Sequence, residues 1–294
     1  MNLRMIKSNL FLLTAAAIWG FAFVAQKIGA EYVGSFTFNG VRFALGSLSL
    51  IPIILFFRKK SKIDVHVIHN SRRTISIGVL IGCVSFIAVS LQQIGLVETS
   101  AGKAAFINGL YIVIVPILGI FLKHRTNSGT WIGVILAVIG LYPLCVTDNF
   151  TIMKGDLYEL IAAIFWAIQI LLVGYFANKI DILKLSFYQF VTCSVLSLVT
   201  ALIFETITLK GLLQATAPLL YGGILSVGGA YTLQAVGQKY ALPAHAAIIL
   251  SLEAFFASIG GLIILHENLG LKGYLGCLVM LLGVLISQVK SIKL

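Results

Sequence analysis

Hydrophobic residues run through the chain in ten long blocks, separated by short polar or basic stretches. Each block holds about 20 predominantly apolar residues, the length of helix that crosses the hydrocarbon core of a bilayer. The blocks fall at 9–28, 36–57, 73–95, 101–123, 129–147, 155–177, 183–204, 216–238, 243–265 and 271–290. The alternation expected of barrel strands is absent, and open sheet edges are not tolerated in lipid. The pattern therefore predicts an all-α membrane protein with ten transmembrane helices.

The composition agrees with burial in lipid. Of the 294 residues, 59% are hydrophobic and 11% are charged, and the mean hydropathy is +1.03. Soluble domains carry about 25% charged residues, so the composition argues against a soluble fold. The net charge of +11 would suggest nucleic acid in a soluble protein, but basic residues also collect in the cytoplasmic loops of membrane proteins. We therefore expect the lipid bilayer, and no nucleic acid, as the partner of this surface.

The distribution of basic residues predicts the orientation. If both termini are cytoplasmic, fifteen Lys and Arg residues lie in cytoplasmic segments and Arg42 lies inside the second helix. The outer segments then hold five, namely Lys27, Lys103, Lys154, Lys210 and Lys272. Because cytoplasmic loops carry the excess of positive charge, we expect a multi-pass protein of the cell membrane with both termini in the cytoplasm.

The two halves of the chain resemble each other. At an offset of 142 residues the matches include Gln92/Gln234, Ala104/Ala246, Ile107/Ile249, Leu110/Leu252 and Gly119/Gly261, and at 147 residues Leu13/Leu160 and Trp19/Trp166. The halves, 1–147 and 148–294, hold five predicted helices each. Because five is odd, the second half must enter the membrane from the opposite side. Two inverted five-helix repeats are typical of secondary transporters, whose substrate site lies near the bilayer midplane between the repeats.

Three features together resemble a known family. The segment Ala-Ala-Ile-Trp-Gly at 16–20, Arg42 in the second helix, and Leu265-His266-Glu267 before a glycine-rich tenth helix are similar to the drug/metabolite transporter superfamily, EamA type. The resemblance covers nearly the whole chain as two tandem EamA-like domains. It implies ten helices around a central cavity and the movement of small metabolites, often amino acids and commonly outward. The chain departs from the family pattern at Arg125 and Ala254, where the family has an acidic residue and a nearby proline.

Glu253 is the strongest candidate for a functional residue, because it lies near the middle of the ninth helix. A charged side chain at that depth costs roughly 2.5 to 3.5 kcal/mol on insertion scales. Helical periodicity puts Ile249, Ala257 and Gly260 on its face, so small side chains flank the carboxyl group. Burial disfavours the charged form, which suits a group that carries protons. The alternative is a structural buried acid, protonated or bonded to a neighbouring helix.

Seven further residues are candidates because they are repeat partners, or share a helix face with one. They are Asn108 and Tyr111 on the fourth helix, Gln92 on the third, Tyr231 and Gln234 on the eighth, and Trp19 and Trp166 on the first and sixth. Amides and a phenol can orient a polar metabolite, and tryptophans can form a wall for an apolar group. Alternatively, the amides join helices at roughly 0.6 kcal/mol per hydrogen bond, and the tryptophans only pack.

Arg42 is the remaining charged residue within a predicted helix. A long basic side chain near a helix end can extend its charge to the headgroups, pair with an acid, or bind an anionic group. We expect the first or second of these.

Taken together, these features favour a secondary transporter. It would move a small metabolite, an amino acid or a related compound, outward across the cytoplasmic membrane by alternating access, with protons as a second partner if Glu253 exchanges them. A channel or facilitator is the alternative. A membrane-embedded enzyme is less favoured, because all four aspartates fall in loops or at helix edges. We expect no cofactor and no metal, since the cysteines lack the spacing of metal ligands.

Overall fold

The computed structural model describes residues 3–60, 71–122, 128–145 and 154–266, with short pieces between 271 and 286. All regular structure in these residues is helical, which confirms the all-α prediction. The helices are α1 (Leu3–Gly29), α2 (Ser35–Lys60), α3 (Ser71–Glu98), α4 (Ala101–Gly109), α5 (Tyr111–Phe121), α6 (Ser128–Cys145), α7 (Lys154–Phe176), α8 (Ile182–Phe204), α9 (Leu209–Gln214), α10 (Thr216–Leu220), α11 (Thr232–Gly237), α12 (Pro243–Leu250) and α13 (Glu253–Ile264), with a π-helix at Tyr221–Tyr231 between α10 and α11.

Within the described residues, eight helical stretches are long and apolar enough to cross a membrane, and they coincide with eight of the ten predicted blocks. At the fifth block α6 forms, with a shorter apolar part at Ser128–Gly140. Half of the tenth block, 271–290, lies outside the described residues, as does the predicted boundary between the halves at 147. Large apolar side chains cover the outside of the bundle, and Phe121 and Phe204 are 80% and 75% exposed. Such a surface fits contact with lipid.

Two of the spans are interrupted near their middle. The fourth span divides into α4 and α5 at Leu110, and the ninth divides into α12 and α13 at Ser251 and Leu252. Leu110 and Leu252 have nearly the same backbone angles, with φ and ψ of −61° and −11° for the first and −60° and −10° for the second. The amide of each donates to the carbonyl three residues earlier, Ile107 or Ile249, at 3.2 Å. Both breaks are therefore a single tight 3₁₀-type turn.

The eighth span widens into the π-helix at Tyr221–Tyr231, where the sequence predicted a regular helix. The segment contains four glycines, which lower the preference for α-helix. Its glycines also let α2 approach closely. A Cβ atom on Gly223 would lie 2.5 Å from the Cβ of Leu45 and 3.0 Å from the carbonyl oxygen of Arg42. π-Helical segments occur frequently at functional sites, and this one contributes Ser226 and Tyr231 to the cavity described below.

The two halves interlock, because helices of each half pack against helices of the other. α3 packs along α7 and α8, α2 along α8 and the π-helix, and α1 along α13. At the last contact a Cβ on Gly20 would lie 2.7 Å from both the nitrogen of Ala257 and the carbonyl oxygen of Glu253. One buried core cluster draws on both halves, so residues far apart in the chain meet at its centre.

Charged side chains tie helix ends together at one end of the bundle. The Lys27 Nζ atom donates to the carbonyl oxygens of Leu96 at 2.8 Å and Thr99 at 2.7 Å, where α3 finishes. The Glu205 carboxylate accepts from the backbone nitrogen of Thr37 at 2.8 Å and from its hydroxyl at 2.7 Å. Cations at helix C-termini and anions at helix N-termini are both favourable for the helix dipole. These contacts fix the start of α2 and therefore the position of Arg42 two turns further on.

Candidate functional site

A cavity in the middle of the bundle brings the predicted residues together. All eight line it: Trp19, Gln92, Asn108, Tyr111, Trp166, Tyr231, Gln234 and Glu253. They come from α1, α3, α4, α5, α7, the π-helix, α11 and α13, so the cavity lies between the two halves. That these side chains share one cavity is a structural finding, and their role in binding stays a prediction.

Gln92 joins three helices on one side of the cavity. Its Oε1 atom accepts from Trp166 Nε1 at 2.9 Å and from Asn108 Nδ2 at 3.3 Å. Its Nε2 atom donates to Gln26 Oε1 at 3.3 Å. Gln92 thus connects helices while it faces the cavity, and its role in binding a substrate stays a prediction.

Gln234 makes the corresponding connection on the other side. Its Nε2 atom donates to Gln169 Oε1 at 3.0 Å, and Gln169 Nε2 donates back to Gln234 Oε1 at 3.3 Å. Both side chains are almost fully buried. A reciprocal amide pair satisfies one donor and one acceptor on each partner and leaves each amide one further N–H and one further lone pair. The pair can therefore also bind a polar group in the cavity.

Tyr231 is the centre of an aromatic cluster that forms the apolar wall. Its ring centroid lies 4.8 Å from Trp19 with the rings at 68°, 5.9 Å from Trp166, and 5.8 Å and 5.7 Å from Phe43 and Phe190. Edge-to-face pairs at these separations are favourable. The indole nitrogen of Trp19 is buried and has no hydrogen-bond partner among the described residues. A donor is therefore available at this wall.

Arg42 corrects an expectation. It is only 3% exposed and lines the cavity, so it does not extend to the headgroups. Within the described part of the chain no carboxylate lies within 4.0 Å of it. Its Nε atom donates to Asn39 Oδ1 at 3.0 Å, and its guanidinium carbon lies 5.5 Å and 5.4 Å from the ring centroids of Phe38 and Phe43. The close approach of α2 to the glycine-rich π-helix keeps the side chain inside.

Glu253 and Tyr111 are the first residues of α13 and α5, directly after the two helix breaks. Their side chains approach each other at the cavity. Neither the Tyr111 hydroxyl nor Glu253 Oε1 has a hydrogen-bond partner of standard geometry in the described residues. The breaks thus position the acid of one half beside the phenol of the other.

Sequence reasoning did not predict six residues at or near this site. Gln169 and Ile170 line the cavity from α7, and Ser226 lines it from the π-helix. Gln26 and Phe23 line the cavity from α1, and Glu159 of α7 is completely buried a short distance away. The sequence could have indicated Glu159, because a carboxyl group inside the apolar block 155–177 is as costly to remove from water as that of Glu253.

The cavity is nearly closed in this conformation. Its volume is about 30 Å³, enough for about two water molecules. Most of its lining side chains are less than a tenth exposed. A metabolite can enter only after helices or side chains move apart.

Comparisons with known proteins identify relatives along the whole chain. The sequence model of the EamA-like transporter family matches residues 6–145 and again residues 153–288. An "Uncharacterized transporter" of Archaeoglobus fulgidus is 29% identical over 290 residues, which cover 98% of this chain and 88% of the relative. The "Uncharacterized transporter YoaV" of Bacillus subtilis is 24% identical over 286 residues, covering 95% and 96%. A solved crystal structure has the same fold, with a TM-score of 0.79 over 97% of this chain and 98% of the other at 15% identity.

Proposed function

The chain belongs to the EamA-like transporter family, and we propose that it is a secondary transporter of a small metabolite, an amino acid or a related compound. Transport runs outward across the cytoplasmic membrane by alternating access, with both termini in the cytoplasm, and it is coupled to protons that Glu253 exchanges. The observation that carries the proposal is one cavity in which repeat-related residues meet, namely Trp19 with Trp166, Gln92 with Gln234, and Tyr111 with Glu253.

The proposal includes ten helices arranged as two inverted repeats, 1–147 and 148–294. Three observations support it. The family matches the chain once in each half, the two broken spans correspond under the predicted repeat, and the breaks at Leu110 and Leu252 have matching backbone angles. In transporters built from inverted repeats, discontinuous helices line a substrate site near the bilayer midplane. The cavity beside these breaks is therefore the candidate for that site.

The chemistry of the cavity complements an α-amino acid. Arg42, which has no carboxylate partner in the described residues, can bind a substrate carboxylate through its fork of donors. Glu253 can accept hydrogen bonds from a substrate ammonium group. The aromatic wall around Tyr231 offers apolar surface to the substrate side chain and attracts cations. We therefore propose a zwitterionic substrate with an apolar side chain.

The size of the cavity favours a carrier over a channel. At about 30 Å³ it is far smaller than the roughly 300–1,000 Å³ of pockets that hold small molecules. A channel needs a continuous path for its permeant, whereas a carrier passes through closed states. Alternating access accounts for a site that is built but occluded.

Counterflow tests the proposal. The purified full-length protein is reconstituted into liposomes that contain one unlabelled amino acid, and these are diluted into a trace of the same radiolabelled amino acid, for each member of an apolar and aromatic panel. A carrier exchanges internal for external substrate, so the label should rise above its equilibrium value before falling. Protein-free liposomes and Glu98→Gln, a change to an exposed carboxylate outside the cavity, are the controls.

Two other outcomes would contradict the proposal. Equilibration of the label without an overshoot would indicate a channel. An absence of uptake for every member of the panel would contradict the amino-acid assignment.

A further inference from the structure

Glu159 is a buried carboxyl group in the bundle, in addition to Glu253 and Asp156. Its side chain is 0% exposed, and neither of its oxygens has a hydrogen-bond partner among the described residues. It does not line the cavity. Its carboxyl group lies instead against the backbone of α3, since a Cβ on Gly95 would lie 2.9 Å from Glu159 Cγ and 3.2 Å from Oε1. The absence of a side chain at Gly95 makes room for it.

The surroundings place Glu159 between the cavity and one end of the bundle. Three residues earlier on α7, Asp156 pairs with Lys103 at 2.7 Å, with 7% and 16% of the two side chains exposed. In the other direction, the residues one turn on are Ala162 and Ala163, both fully buried. One turn beyond them is Trp166, which lines the cavity. One face of α7 therefore carries, in order from the ion pair to the cavity, Asp156, Glu159, the two alanines and Trp166.

An ionised carboxylate is costly in such a position. Removing a charge from water without a partner costs far more than removing a neutral polar group, and a buried acid in this situation is neutralised instead. A protonated carboxyl group leaves only ordinary polar atoms unpaired. The geometry around Glu159 thus favours a bound proton in this occluded conformation.

Resting on the proposed function, we propose that Glu159 is a second proton-binding group of the transporter, which exchanges protons between the Lys103–Asp156 end of the bundle and the cavity that holds Glu253. When the ion pair separates, water reaches Glu159 and the carboxylate takes a proton, forming its O–H bond. The Glu159 O–H bond then breaks as water that enters past the alanines carries the proton to the Glu253 carboxylate, where a new O–H bond forms. Glu159 is left ionised until the next proton arrives.

The charged and titratable groups around Glu159 fit this route. Glu253 and Asp156 are the two acids whose charges act on it. The elements packed against α7 contribute Glu98 of α3, Lys103 of α4, Tyr111 of α5 and His245 of α12. Among these, Lys103 is paired with Asp156, and His245 bonds Asn9 of α1 at 3.1 Å. A negative charge on Glu253 favours protonation of Glu159, so the two acids alternate as proton holders.

Infrared spectroscopy of the purified full-length protein tests the protonation directly. A protonated carboxyl group without a hydrogen-bond partner gives a high-frequency C=O stretching band, separate from the bands of ionised carboxylates. We expect the wild type to show this band at neutral pH, to shift it in D₂O, and to lose it in Glu159→Gln. The matched control Glu98→Gln should lose ionised-carboxylate bands only, and Glu253→Gln separates any contribution from that residue.

Loss of an ionised-carboxylate band in Glu159→Gln, or no change in the protonated-carboxyl band, would overturn the proposal. If the glutamine variant is not recovered in folded form, Glu159→Asp serves instead. It should shift the band, and an unchanged band overturns the proposal in the same way. These spectra need no substrate, so they stay interpretable if the counterflow experiment fails and the proposed function falls.

The exchange role has its own readout in liposomes. With an amino acid that shows counterflow, the ratio of pH-gradient-driven uptake to counterflow should fall at least about tenfold in Glu159→Gln relative to Glu98→Gln. A wild-type ratio in Glu159→Gln would show that protons reach the cavity without this residue and would overturn the exchange role.

Discussion

Glu205 provides a prediction whose magnitude follows from the structure. Its carboxylate accepts from the backbone nitrogens of Phe36 at 2.9 Å and Thr37 at 2.8 Å and from the Thr37 hydroxyl at 2.7 Å. This carboxylate, at the end of α8, thereby caps the start of α2. A hydrogen bond to a charged group contributes about 1.5–3 kcal/mol, and loss of an N-cap costs about 0.5–2 kcal/mol. Because Glu205 is partly exposed, water replaces part of what is lost.

We therefore expect Glu205→Ala to lower the free energy of unfolding by about 2–3 kcal/mol. At a few degrees per kcal/mol for a chain of this size, the melting temperature should fall by roughly 5 °C. Glu205→Gln should have about half this effect, because its amide oxygen still accepts while its NH₂ group faces other donors. The assay is thermal unfolding of the purified protein in one detergent. Glu31→Ala, an exposed acid near the same end, is the matched control.

Gly34 tests the same contact from the other side. A Cβ at this position would overlap the Glu205 carboxyl carbon, so Gly34→Ala should displace the carboxylate. Because both substitutions break one contact, their effects should not add in the double variant. A melting temperature for Glu205→Ala equal to that of Glu31→Ala, or full additivity with Gly34→Ala, would refute the reasoning.

Three further predictions concern the cavity. Gly20→Ala adds a methyl group against α13 and should cost about 1–3 kcal/mol of stability, measured by thermal unfolding. Trp166→Phe removes the donor to Gln92. It should lower the free energy of unfolding by about 1 kcal/mol and raise the KM of counterflow. Arg42→Gln should weaken competition by an amino acid about tenfold, equivalent to about 1.4 kcal/mol, while competition by the corresponding amine, which lacks the carboxylate, should be unchanged. Equal losses for both competitors would contradict a carboxylate contact.

The spans could be predicted from the sequence because they depend on local pattern, and the convergence of site residues could be predicted because it depends on the internal repeat. The block at 155–177 predicts α7 to within one residue at each end, since desolvation alone requires a long apolar helix there. The repeat offset predicts that Tyr111 corresponds to Glu253, and the structure brings both to the same cavity. Two positions that correspond under an internal repeat lie at equivalent depths, and inverted repeats meet at the midplane.

Other features depend on contacts that the sequence does not display. The break at Leu110 follows Gly109, but with 28 glycines in the chain a single glycine does not predict where a helix is interrupted. The depth of Arg42 depends on how closely α2 approaches the π-helix, which in turn depends on glycines far away in the chain. Gln26 could not be predicted for the same reason, because its place at the cavity depends on how α1 packs against α3, where it accepts a hydrogen bond from Gln92.

The central claim is that the cavity couples substrate movement to protons through Glu253. The most direct measurement is accumulation of a substrate of the wild type in liposomes with an imposed pH difference of about one unit, normalised to folded protein. One proton per substrate then supplies about 1.36 kcal/mol, or about tenfold accumulation. The wild type and Glu98→Gln should approach this ratio, and Glu253→Gln, which keeps the shape of the side chain but cannot exchange a proton, should accumulate nothing above equilibrium. Wild-type accumulation by Glu253→Gln would contradict the claim.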